Sequence, residues 1–135
     1  MRLKNRFLLV EVIFEQDLVK ERREQNRSIG TTDVYQSLLA SVSAHYGDHG
    51  VGVCQSQMTV RSYSDATGLA VVRAPREQMR MVWTSLTFVT KIKQLRALAT
   101  VRGNAGSERT MLKKLEKIDP AQAAKLAKME AAETA

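Results

Sequence analysis

With a single cysteine, Cys54, in 135 residues, the chain cannot close a disulfide within itself, and a reducing compartment suits it. Aromatic residues are scarce too, at 5% of the chain, and no segment carries the Phe/Tyr spacing with which a sheet stacks single-stranded bases. No apolar run approaches the roughly 20 residues that a membrane-spanning helix needs. Glu11, Glu15 and Asp17 interrupt the one N-terminal stretch that resembles a signal peptide, so none is expected. No basic segment is paired with an aromatic anchor face, which argues against a membrane surface. Walker loop, nucleophile elbow and carboxylate pair are all missing, so no catalytic residues are expected. His45, His49 and Cys54 lie close in sequence, but Gly47 breaks the helix that ligands four apart require. They read as solvent-facing helix-end histidines and a small buried thiol at a strand start. No metal site is expected.

What is present is positive charge, with 21 Lys and Arg against 14 Asp and Glu and a net charge of +7. The excess is clustered. RLKNRFLLVEV (2–12) opens with Arg2, Lys4 and Arg6 at alternate positions, on one face of an extended chain, with no acid before Glu11. Residues 91–117 hold Lys91, Lys93, Arg96, Arg102, Arg109, Lys113, Lys114 and Lys117 against only Glu108 and Glu116. Cations gathered in this way are the footprint of a polyanionic partner. With so few aromatics, an RNA partner would be held by backbone and shape.

Periodicity orders the elements. A strand is expected over 3–14, a charged loop over 16–30, and a helix over 31–47 capped by Thr31 or Thr32 and stopped by Gly47. QSQMTVRSY (55–63) and GLAVVRA (68–74) read as a hairpin around SDAT. Pro75 starts a second helix whose stripe is Met79, Val82, Trp83, Leu86 and Val89. A last strand over 93–102, a turn RGNAGS, a helix from Ser107 to Ile118 and a fraying Ala/Lys-rich helix after Pro120 follow. The order βαββαβ predicts an α+β, ferredoxin-like (RRM-like) sandwich with additional C-terminal helices. Residues 1–118 would form the domain and 119–135 a helix or tail. Leu8, Leu9, Val10, Val12 and Ile13 run almost continuously apolar, so both faces of the first strand should be buried, the second by a C-terminal helix.

RGNAGSER (102–109) is a candidate anion site. Gly103 and Gly106 permit tight turns, Ser107 opens a helix, and Arg102 and Arg109 add charge.

These pieces resemble the small α/β protein subunit of ribonuclease P and RNase MRP, the archaeal-type protein component 2. The likeness runs from RLKNRFLLVEV through GDHGVG (47–52), VRSYSDATGLAVVRAPRE (60–77) and VWTSLTFVTKI (82–92) to GSERTMLKK (106–114). It implies a non-catalytic subunit that binds and stabilises a catalytic RNA, which removes the 5′ leader of precursor tRNA held nearby. It also implies a TIM-barrel-like protein partner among other subunits, no cofactor on the protein, and Mg²⁺ on the RNA. WTSL (83–86) is closer to eukaryotic members, implying nucleus and nucleolus. The resemblance carries Arg2, Lys4, Arg6, Gly106, Ser107 and Arg109 as RNA contacts; charge and position add Arg102, Lys113 and Lys114. Ser107 replaces the usual Thr, Glu108 stands where an apolar residue is common, and RGNA lengthens the turn. A regulatory ligand- or protein-binding domain of the same fold, without RNA, is the alternative. An acylphosphatase-like hydrolase would need a glycine-rich phosphate loop after the first strand, where this chain has a long charged one.

Overall fold

The computed structural model describes residues 5–15, 29–65, 67–93 and 95–134. Arg2 and Lys4, and most of the charged 16–30 loop, lie outside them. Strand β1 (Asn5–Phe14) is central. It pairs antiparallel with β3 (Leu69–Pro75) on one side and β5 (Leu95–Ala105) on the other. β2 (Thr59–Ser64) flanks β3, and a two-residue β4 (Lys91–Ile92) touches the start of β5, giving the order β2-β3-β1-β5-β4. With α1 (Thr31–Cys54) and α2 (Met79–Thr87) on one face, the fold is ferredoxin-like.

Alternation along β1 divides its side chains between two cores. Leu8, Val10 and Val12 meet Val34, Leu38 and Val42 of α1 and Val82 and Leu86 of α2. Phe7 and Leu9 point the other way, with Leu69, Val71 and Ala105, into a second core closed by Met111 and Leu115 of α3 (Glu108–Ile118) and by Ala123 and Leu126 of α4 (Pro120–Thr134). Both faces of β1 are thus buried as its apolar run predicts. The exception is Ile13, 45% exposed beside Leu98, where the C-terminal helices no longer reach.

Several boundaries differ from expectation, each for a physical reason. Gly47 kinks α1 (φ 68°, ψ −165°) rather than ending it, and the helix resumes to Cys54, so that residue lies at a helix end rather than a strand start. Gly30, not Thr31 or Thr32, takes the N-cap position, and its N–H donates to the Asp33 carboxylate at 2.9 Å. Arg102–Ala105 continue β5 instead of forming a turn, because pairing with Leu9, Leu8 and Phe7 overrides the loop preference of Gly103 and Asn104. Pro75 closes β3, and a short 3₁₀ turn (Arg76–Gln78) precedes α2. The last helix runs for 15 residues. Asp119 caps it by accepting the Gln122 N–H at 3.1 Å, and the Gln122 amide donates to the Leu69 carbonyl at 2.8 Å and the Ser62 hydroxyl at 2.9 Å. α4 is therefore fastened to the sheet by side chain as well as by burial.

Candidate nucleic-acid interface

Register brings the first and last parts of the chain together. Phe7 lies opposite Ala105, so Arg6 flanks Gly106 as the chain leaves β5. A Cβ on Gly106 would fall 2.5 Å from Nη1 of Arg6; only glycine leaves room for the guanidinium. Ser107 then caps α3 in an extended conformation, its Oγ accepting the Thr110 N–H at 3.2 Å. From there α3 presents Arg109 and Lys113, four residues apart and both exposed. Lys114 folds back over the end of β5, where its Nζ donates to the Asn104 carbonyl at 2.5 Å. The result is a cationic surface made of Arg6, Arg109, Lys113 and Lys114 around a helix N-terminus, where the macrodipole adds a further positive field.

Arg102 does not join this surface. It is the additional residue of a β-bulge between Val101 and Gly103, and its Nε and Nη2 both donate to Oε2 of Glu11 at 2.5 Å. Glu108 is drawn away as well, into an ion pair with Nε of Arg61 at 3.2 Å in which both side chains are at least 85% buried. The acid nearest the turn is thereby neutralised by a cation of β2 and leaves the Arg109 face positive. Sequence reasoning counted Lys117 among the clustered cations but not among the candidate contacts; it is exposed, eight residues after Arg109. The signal was available in the spacing 109, 113, 117, a stripe about 12 Å long on a helix.

Other candidate chemistry has a structural account. Cys54 is buried with its Sγ 3.5 Å from Sδ of Met81, and burial pushes its thiol pKa up, which keeps it protonated and unreactive. Among the described residues no three His, Cys, Asp or Glu side chains stand together as a metal site, and no helix is long and apolar enough to cross a membrane. Met79 and Trp83 pack against the first core, half-buried.

Because the group facing Gly106 is the far end of a flexible side chain, Gly106→Ala is expected to leave the fold intact and to displace Arg6. Its melting temperature should stay within about 3 °C of wild type while RNA affinity falls roughly fivefold, the worth of about one charge-assisted contact. Equal affinity by filter binding would remove Arg6 from the interface.

The model of the Rpp14/Pop5 family matches residues 6–116. The ribonuclease P/MRP protein subunit POP5 of Schizosaccharomyces pombe is 28% identical over 97 residues, which cover 68% of each chain. Those of Saccharomyces cerevisiae and Bos taurus are 26% and 30% identical, covering 68% and 69% of this chain but only 61% and 51% of their own lengths. This chain therefore spans between half and two thirds of those longer relatives. A chain in a structure of yeast ribonuclease MRP shares the fold, with a TM-score of 0.58 at 15% identity, over 87% of this chain and 92% of that one.

Proposed function

Since the chain belongs to the Rpp14/Pop5 family, we propose that it is a non-catalytic protein subunit of ribonuclease P, RNase MRP or both, holding the catalytic RNA in its working fold for 5′-leader removal from precursor tRNA. The relatives named above are subunits of those particles. The observation that carries the reading is the cationic surface of Arg6, Gly106, Ser107, Arg109, Lys113 and Lys114, set against a sheet whose other face is sealed by α3 and α4. An RRM reads single-stranded bases on that sheet face; here Met111, Leu115 and Leu126 occupy it. What remains for RNA is a helix N-terminus and a row of cations, which suits phosphates of a folded RNA and reads no sequence by itself. Arg2 and Lys4, which precede β1 in sequence, are the further candidate contacts.

On this reading the chemistry belongs to the RNA and to Mg²⁺ bound on it, and the protein supplies charge and rigidity. Its particle is nuclear and nucleolar, and a TIM-barrel-like subunit is among its protein neighbours. The test is to recover the tagged full chain from its native extract, sequence the bound RNA, and assay precursor-tRNA cleavage. One structured RNA with leader-removing activity is the expected result. Protein recovered free of RNA and without activity would overturn the proposal and leave a ligand- or protein-binding domain of the same fold.

A further inference from the structure

At the end of the sheet remote from Arg6, α2 runs out at Thr87 and the chain passes through Phe88 and Val89 to β4. Val89 is buried and anchors the segment, whereas Phe88 is 53% exposed. An exposed phenyl ring on a connection would ordinarily be free to turn. This one is stacked on His45 of α1, with ring centroids 4.7 Å apart and planes 20° from parallel. His45 is itself fixed, its Nδ1 donating to the Ser41 carbonyl at 2.8 Å. The two rings therefore form a rigid platform with one face of Phe88 turned outward. They border a groove of about 480 Å³ also lined by Lys91, Lys93, Gln36 and Asp33.

An aromatic plane held by a second ring, with two lysines beside it and one acid across the groove, combines the two elements of single-stranded nucleic-acid binding: a stacking surface and phosphate neutralisation. We infer that Phe88, backed by His45, stacks an unpaired base of RNA whose phosphates lie along Lys91 and Lys93. The inference rests on the proposed role in an RNA particle and goes beyond it, because it names a base contact where that role needs only backbone contacts. From Arg6 to its far end at Phe14, β1 runs about 26 Å toward the end of the sheet where this platform lies. The protein would touch two separate segments of one folded RNA, as a strut between them.

The probe is a ten-residue oligouridylate compared with an abasic ribose-phosphate strand of equal length and charge, each titrated against the full chain by fluorescence anisotropy at low salt. Stacking predicts tighter binding of the oligouridylate by about tenfold. Phe88→Ala and Phe88→Leu should abolish that preference, and Phe88→Trp should keep it, since leucine restores apolar area but offers no π face. Equal binding of the two strands by the wild-type protein would overturn the inference without reference to any variant. If Phe88→Ala keeps its preference while alanine at Arg6, Arg109, Lys113 and Lys114 weakens binding of the native RNA, the stacking role falls and the RNA-subunit reading stands. If Phe88→Ala binds oligouridylate normally but loses a protein subunit on recovery from extract, the ring belongs to a protein interface and the inference is overturned.

Discussion

Replacing Arg6, Arg109, Lys113 and Lys114 together by alanine is expected to cut the salt dependence of RNA binding to about one third. Each cation placed on a phosphate releases a condensed counterion, and the logarithm of affinity falls with that of salt by about 0.9 per contact in a duplex. On the proposed reading these four, with Arg2 and Lys4, would meet about six phosphates and give a slope near −5.4. Removing four leaves a slope near −2. Raising salt from 50 to 200 mM should then weaken the wild type roughly 2,000-fold and the variant only about tenfold. The fold should tolerate the change, because Arg109, Lys113 and Lys114 are exposed and, among the described residues, Lys114 is the one of the four that donates a hydrogen bond to the backbone. Titration of the native RNA at several salt concentrations, with a melting curve for each protein, decides the matter. Weaker binding at an unchanged slope would mean that the four residues act other than on phosphates.

Gly68→Ala should destabilise the protein by roughly 2 to 3 kcal/mol and lower its melting temperature by about 8 °C. Gly68 lies at φ +75° in the β2–β3 turn, a region that costs alanine about 1 to 2 kcal/mol. It also packs directly on β1. Its carbonyl accepts the Val12 N–H at 2.7 Å, its N–H donates to the Ser64 carbonyl at 2.7 Å, and a Cβ would run into the Val12 carbonyl oxygen. Backbone cannot swing aside as the Arg6 side chain can, so the central strand or the turn must shift and at least one hydrogen bond lengthens, costing about 1 kcal/mol more. Asparagine separates the two causes. It visits positive φ at little cost, yet it still carries the Cβ, so Gly68→Asn should recover the φ share and keep the loss of about 1 kcal/mol that comes from the clash. Wild-type stability in the asparagine variant would assign the whole effect to φ.

Much of this architecture is legible in the sequence, and the failures share a cause. The almost continuous apolar run of Leu8, Leu9, Val10, Val12 and Ile13, broken only by Glu11, announces a strand buried on both faces, and with it a C-terminal helical layer, although Ile13 itself is left exposed. Gly103 and Asn104 mislead because their local preferences point to a loop, while their real neighbours are Leu9 and Leu8, some 95 residues earlier in the chain. Gly47 misleads for a related reason. A glycine that ends most helices here bends one, since Gly50 and Cys54 beyond it are buried and hold the second segment in place. At the candidate site, charge, spacing and the family resemblance nominate Arg6, Gly106, Ser107, Arg109, Lys113 and Lys114, and the structure places them near one another. They cannot reveal that Arg102 is turned onto Glu11, nor that His45 and Phe88 meet, because each of these is a contact between distant elements.

Among the described residues the sheet contains two places where one strand carries a residue more than its neighbour requires: Arg61, between Val60 and Ser62 opposite Val72 and Val71, and Arg102, between Val101 and Gly103 opposite Val10 and Leu9. In both the supernumerary residue is arginine, and in both its guanidinium is held by a carboxylate, Glu108 or Glu11. Because the flanking pairs already fit without it, deletion of either arginine would straighten a strand while leaving every remaining cross-strand partner in register. Chain length is therefore negotiable at these two positions and nowhere between Leu8 and Val12, where losing one residue would turn each core inside out.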